Sequence, residues 1–210
     1  MNDKLTSNTV AEFLDALASS APAPGGGSVA ALSGAQGAAL VSMVCNLTLG
    51  KPKYADVQAD VTALLQRSET LRRELTDLLE ADVAVYTHVS AAYKMPRETA
   101  EEKGARSAAI QQALKKATAV PMQVAEACVK VLDLCTPTAD KGNVNAVSDA
   151  GVAALMAEAG LRSAALNVLI NLNAIQDQAF CSSVRVQLES LLEGRSRIKD
   201  EIYDLVVNKL

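Results

Sequence analysis

The chain has 210 residues, half of them apolar but only 3% aromatic, with 37 Ala, 26 Leu and no Trp. Small and straight side chains lose little rotamer freedom in a helix, and strand-favouring residues are scarce, so this composition argues for an all-α protein and against a β-sandwich or barrel. A single histidine, His88, excludes a hydrolase built on two or three His ligands to zinc, and a net charge of −4 with two Phe gives neither a basic footprint nor a stacking platform for nucleic acid.

The opening Met-Asn-Asp-Lys lacks a signal-peptide pattern. Thr9-Val10-Ala11-Glu12 has capping-box spacing, and Val10, Phe13, Leu14 and Leu17 follow at helical period, which predicts a helix ending near Ser20. Residues 21–28, Ala-Pro-Ala-Pro-Gly-Gly-Gly-Ser, are a loop that opens into an apolar helix from about Ser28 to Leu49. Val29 to Leu49 carries no charge and is long enough to span a bilayer. Its Ser33, Gln36, Ser42, Asn46 and Thr48 disfavour insertion, so it is expected to be buried on all sides of a protein core, with no membrane role. Gly34, Ala38 and Ser42 recur every four residues and leave room for a partner helix.

Gly50-Lys51-Pro52 breaks the chain, and a long amphipathic helix is predicted from about Asp56 to Tyr93. Met95-Pro96 ends it. Thr99-Ala100-Glu101-Glu102 starts the next helix, which Pro121 is expected to kink or divide before Val124 to Leu134. A polar loop over 136–149 leads into a second apolar helix, Ala150 to Leu172, also expected to be buried on all sides. The last element, Gln176 to Val207, has a weak point at Gly194. Residues 1–210 therefore read as one helical-bundle domain. Helices this apolar in so small a chain point to a homodimer. The four cysteines, 45, 128, 135 and 181, form no CxxC pair and read as buried small hydrophobes in a reducing compartment.

Three places carry chemistry. Gly25-Gly26-Gly27-Ser28 sits at a helix start, where backbone N–H groups and the helix dipole favour an anion, although the loop and a Ser28 cap explain the residues equally. Asp82 shares one helical stripe with Tyr86, Val89 and Tyr93, beside Leu78, Leu79 and Val85. A carboxylate there is either solvated at the stripe's edge or desolvated, with a raised pKa suited to proton transfer. His88 lies on another face and makes no helical pair with it. Gly142-Asn143 to Ser148-Asp149 forms a loop in which Ser148 or Asp149 can cap the next helix. Asn167 and Asn171, at i and i+4 in an apolar helix, need hydrogen-bond partners in protein or ligand.

In order along the chain, Pro22 to Leu32 (PAPGGGSVAAL), Met43-Val44, Gly50-Lys51, Asp82 with Tyr86, Met95-Pro96, Glu101-Glu102-Lys103, Arg106 to Leu114, Val120-Pro121, Gly142-Asn143, Ser148-Asp149 and Asn167 to Leu172 (NVLINL) resemble the cyclodeaminase/cyclohydrolase family. That family comprises the C-terminal domain of formiminotransferase-cyclodeaminase and stand-alone bacterial methenyltetrahydrofolate cyclohydrolases. Glu80-Ala81, just before the aspartate, differ from the more acidic run of the bifunctional enzymes.

The resemblance implies an all-α homodimer in the cytoplasm with a folate site and no metal or cofactor. It implies that Asp82 is the catalytic carboxylate. It also implies a substrate site drawn from Gly25, Gly26, Gly27, Ser28, Lys51, Tyr86, Arg106, Asn143, Asp149 and Asn167. No formiminotransferase domain is present in this sequence, which favours hydrolysis of 5,10-methenyltetrahydrofolate to 10-formyltetrahydrofolate. The near rival is formimidoyltetrahydrofolate cyclodeaminase; the distant one is a non-catalytic helical module with a structural carboxylate.

Overall fold

A computed structural model describes residues 4–210; the first three, part of the segment read as lacking a leader, lie outside the described residues. The described residues contain no strand. They form seven helices: α1 Val10–Ala18, α2 Gly26–Asn46, α3 Gln58–Tyr93, α4 Ala100–Lys141, α5 Val147–Asn173, α6 Gln178–Leu192 and α7 Arg195–Val207. Short 3-10 turns lie at Leu5–Ser7, Pro52–Val57 and Val144–Ala146. Both predicted N-terminal signals form. The Thr9 hydroxyl accepts from Glu12 N–H while the Glu12 carboxylate accepts from Thr9 N–H, and Thr99 and Glu102 repeat the arrangement.

Helices α2 to α5 run alternately up and down. Ser42 meets Ser68 at 2.8 Å, Gly34 faces Leu75, and Ser28 meets Asp82, so α3 runs back along α2. Gly34 also packs on Cys128 and Gly142 on Val44, which makes α4 parallel to α2. Gly26 faces Asn167 and Gly37 faces Ala153, so α5 is antiparallel to α2. A Cβ at Gly37 would lie 2.9 Å from the Ala153 carbonyl oxygen, and one at Gly160 2.9 Å from that of Ala30. The two backbones touch, as only glycine allows. Leu75, Cys128, Leu132 and Leu161 fill the centre. All four cysteines are free and buried; burial pushes the Cys45 thiol up to about 11 and the Cys128 thiol to about 12.

Four expectations are corrected. Pro121 does not divide the helix: α4 is continuous over 42 residues, with Pro121 and Pro137 inside. A proline removes the hydrogen bond to the carbonyl four residues back, here Ala117. The Asn171 side-chain amide donates to that carbonyl at 3.3 Å and replaces the lost partner. The predicted loop over 136–149 shrinks for the same helix, which runs to Lys141. The cap of α5 is Ala146, with no side-chain bond, so neither Ser148 nor Asp149 caps it; Asn143 instead accepts from Asn145 N–H. The last element does break at its expected weak point, Gly194, whose φ of +70° places it in the left-handed region, and forms two helices there.

The fourth correction concerns burial. α2 and α5 are each long and apolar enough to cross a membrane, but neither is buried on all sides. α2 leaves Gln36, Met43 and Leu47 exposed. α5 leaves Val152, Leu155, Leu166 and Ile170 exposed, the last two at 69% and 65%. In a bundle of this size α2, α4 and α7 wrap only part of the α5 circumference, so one stripe faces outward.

Candidate active site

The α3 helix outruns α2. Asp82 stands level with the first turn of α2, and eleven further residues, about 16 Å of helix, extend to Tyr93. α4 and α5 extend alongside, whereas α2 begins only at Gly26. The track that α2 would occupy is therefore empty beyond its N-terminus. A cleft of about 280 Å³ opens there. Its walls are Asp82, Val85, Tyr86 and Val89 of α3, Ala117 and Pro121 of α4, and Asn167, Ile170 and Asn171 of α5.

Asp82 is the cleft's only ionisable carboxylate and is partly buried. The Ser28 hydroxyl donates to its Oδ2 at 2.8 Å. A Cβ at Gly27 would lie 2.1 Å from Asp82 Oδ1, so the glycine is what allows the carboxylate to seat on the helix start. The anion invited by the Gly-rich N-terminus is thus supplied by the protein itself. Burial raises the Asp82 pKa above its ordinary value, while the hydroxyl and backbone N–H of Ser28 act the other way. Desolvation is the larger effect. The result is a carboxylate that accepts a proton more readily than a solvated one, held in one position by two donors. Of the two readings of Asp82, the solvated edge is the one the geometry rejects.

Asn167 and Asn171 line the opposite wall. Asn167 donates to the Ser163 carbonyl at 2.8 Å and Asn171 to the Ala117 carbonyl at 3.3 Å, and both residues line the cleft. Tyr86 is half-exposed along the α3 wall, and Tyr93 continues the same stripe. Arg106 donates twice to the Tyr93 carbonyl, at 3.2 and 3.0 Å, and its guanidinium lies 5.7 Å from the Tyr93 ring centre. It marks the far end of that stripe.

The remaining residues singled out from the sequence lie elsewhere. From Gly27 to Asn46 is about 28 Å of helix, and Lys51, Asn143 and Asp149 all sit beyond or beside that other end. Asn143 is buried there: its N–H donates to Thr48 Oγ1 at 2.8 Å and its side-chain amide to the Leu47 carbonyl at 3.0 Å. Lys51 is exposed, and Asp149 lies in the first turn of α5. His88 is exposed and lines a separate groove between α3 and α4 with Met95 and Lys116. The cleft residues not anticipated as a site are Val85, Val89, Ala117, Pro121, Ile170 and Asn171. For Asn171 the signal was present, four residues after Asn167 in an otherwise apolar helix. Among the described residues no three His, Cys, Asp or Glu side chains gather as a metal-ligating group.

The formiminotransferase-cyclodeaminase family model matches residues 9–190. Methenyltetrahydrofolate cyclohydrolase of Methylorubrum extorquens is 53% identical over 202 residues, 96% of this chain and 97% of that one. Formimidoyltransferase-cyclodeaminase of Sus scrofa is 38% identical over 181 residues, 86% of this chain but 34% of the longer protein. The crystal structure of formiminotetrahydrofolate cyclodeaminase from Thermotoga maritima superposes with a TM-score of 0.80 at 32% identity, covering 99% of this chain and 98% of that one. The chain belongs to the formiminotransferase-cyclodeaminase family.

Proposed function

We propose that the protein is a methenyltetrahydrofolate cyclohydrolase, an enzyme of one-carbon metabolism that converts 5,10-methenyltetrahydrofolate to 10-formyltetrahydrofolate. The observation that carries this reading is the 53% identity to the Methylorubrum extorquens enzyme along nearly the whole of both chains. The cleft chemistry is consistent with it. The substrate carries a cationic amidinium carbon between two nitrogens, and Asp82 is the one negative group in the cleft wall.

In this reading a water attacks the amidinium carbon and Asp82 accepts one of its protons, leaving a neutral carbinol. Asp82 then returns that proton to the ring nitrogen as the carbon–nitrogen bond breaks. The carbinol hydroxyl loses its remaining proton to solvent as the formyl carbonyl forms, so each turnover releases one proton. The ionised carboxylate also attracts the cation on binding. Ser28 and Gly27 position Asp82. Gly25, Gly26, Tyr86, Asn167 and Arg106 are substrate-binding residues in this proposal, with Arg106 meeting the glutamate carboxylate. Lys51, Asn143 and Asp149, at the other end of α2, take no part in this cleft.

The chain works as a homodimer in the cytoplasm in this proposal, with the folate as substrate and no cofactor, nucleic acid or membrane. The exposed apolar stripe of α5 and the four buried thiols support those readings. The decay of methenyltetrahydrofolate absorbance, measured beside ammonia release from the formimino substrate, tests the activity. Hydrolysis without ammonia release is expected. Ammonia release alone would assign the protein to the cyclodeaminases, and inertness in both assays would leave it a non-catalytic module.

A further inference from the structure

Glu80 stands two residues before Asp82 on α3 and is not part of the cleft wall. Its carboxylate holds the 3-10 turn at Leu5–Ser7 instead. Thr6 N–H donates to Oε1 at 2.8 Å and Leu5 N–H to Oε2 at 3.2 Å, across 74 and 75 residues of sequence. Two residues along a helix lie about 200° apart around its axis, at nearly the same level. Glu80 and Asp82 therefore point to nearly opposite faces of one turn. On its own face Asp82 accepts from the Ser28 hydroxyl at 2.8 Å. One segment, residues 5–28, is thus tied at both ends to the same turn of α3. Thr76 and Leu79, whose helical angles fall between those of Asp82 and Glu80, lie beneath it. They line a cavity of about 370 Å³ together with Leu5, Phe13 and Leu32. The segment passes around roughly 160° of the helix.

The middle of this segment is held lightly. α1 buries one side chain, Phe13, and leaves Val10 and Leu14 exposed. At the far end, Gly25 caps α2 without a side-chain bond, and Gly26 and Gly27 open the helix. Glycine has the most conformational freedom to lose on folding, and the first N–H groups of a helix have no partner within it. The first turn of α2 therefore takes its order from the chain that leads into it and from the carboxylate it rests on. Hydrogen bonds from an N–H to a carboxylate are roughly twice as strong as neutral ones. Two of them, to a side chain carried by the 36-residue α3, anchor the other end of the segment. Leu5 adds packing against the central core from the same 3-10 turn.

We propose that Glu80 is a positioning residue for the reaction at Asp82: by fixing Leu5 and Thr6 on the far face of α3 it closes a clasp, residues 5–28, around that turn and keeps the Gly-rich start of α2 seated on the Asp82 carboxylate. Glu80 itself meets no substrate. It acts through the backbone of the segment, and its loss lets the first turn of α2 lift while the bundle stays folded. The effect on turnover rests on the proposed role of Asp82; the effect on the clasp does not.

The clasp is tested by backbone amide hydrogen exchange on the full-length Glu80→Ala variant with wild-type helical circular dichroism. Exchange is expected to rise at least about tenfold at residues 5–6 and also at residues 28–29, in the first turn of α2. A rise confined to residues 5–6 overturns the proposal. With methenyltetrahydrofolate, kcat is expected to fall roughly tenfold and KM to change less than about twofold, because a small displacement of the reacting group acts on the transition state. Wild-type kcat in the folded variant overturns the proposal. If Glu80→Ala does not fold, Glu80→Gln carries the same test with a smaller effect, since it keeps one acceptor oxygen. The tie is also cut from the donor side. Lys4 is extended, so Leu5→Pro fits the first position of the 3-10 turn and lacks the N–H that Glu80 accepts. Leu5→Pro is expected to lower kcat in the wild-type background and to add less than about twofold in the Glu80→Ala background. An undiminished further loss there overturns the shared route. No hydrolysis by the wild type, with the exchange response present, would support the clasp and count against the proposed activity.

Discussion

At the scale of single residues, the site depends on how Asp82 is held. Glycine at 27 is a requirement of space: any Cβ there falls within 3 Å of all three carboxyl-group atoms of Asp82. Gly27→Ala is therefore expected to displace the carboxylate and lower kcat/KM on the order of 10²-fold, as an ångström of misplacement does. It should also cost about 1–3 kcal/mol of stability through overpacking, read as a fall in denaturant midpoint. Ser28 lowers the proton affinity that burial raises. In the proposed mechanism Asp82 acts as a base only when ionised, and burial raises its pKa, so activity is expected to fall as pH drops through a value above that of an ordinary aspartate. Ser28→Ala removes a donor that stabilises the ionised form. Its acidic limb in a pH–rate profile should move to higher pH; a shift to lower pH would contradict this account. The raised pKa also carries a stability cost. The folded state binds the Asp82 proton more tightly than the unfolded chain, so stability is lost as pH rises through the folded pKa. Asp82→Asn should accordingly melt no lower than wild type at neutral pH.

At the scale of elements, helix caps and periodicity were readable because they are local. Thr9 and Thr99 announce their helices through residues three positions on, and α3 was placed to within two residues at its start. Pro121 misled because its compensation is not local. The carbonyl it orphans is paired by Asn171, fifty residues later on another helix. Sequence pattern raised both facts, a proline in a helix and an amide in an apolar one, but only packing joins them. Asn171→Leu should leave the Ala117 carbonyl unpaired and cost about 1–3 kcal/mol. For a chain of this length that is roughly a 2–12 °C fall in Tm. An unchanged Tm would show that the Pro121 helix needs no such partner. The site was legible in the same partial way. Asp82 and the Gly-rich loop were visible as anomalies of composition, yet their contact across 54 residues was not.

At the scale of the molecule, the scarcity of aromatic bulk beside so many Ala and Gly has a single consequence. Helices packed through Gly and Ala approach closely enough to bury a thin core, and each retains an outward face. The two apolar helices were expected to be enclosed, and the error is informative: hydropathy alone does not show which faces of a helix its own chain covers. Function follows from a length mismatch among the helices, because α2 stops where α3, α4 and α5 continue and the gap holds the carboxylate. The account's central claim is that Asp82, in that gap, hydrolyses a cationic cyclic amidine. It is tested most directly by following methenyltetrahydrofolate absorbance decay with wild type and Asp82→Asn side by side. The account predicts rapid enzymatic decay with the wild type and a loss of about 10²- to 10⁴-fold in the variant, with helical circular dichroism unchanged. Decay by the variant at the wild-type rate, or no acceleration by the wild type, would contradict it.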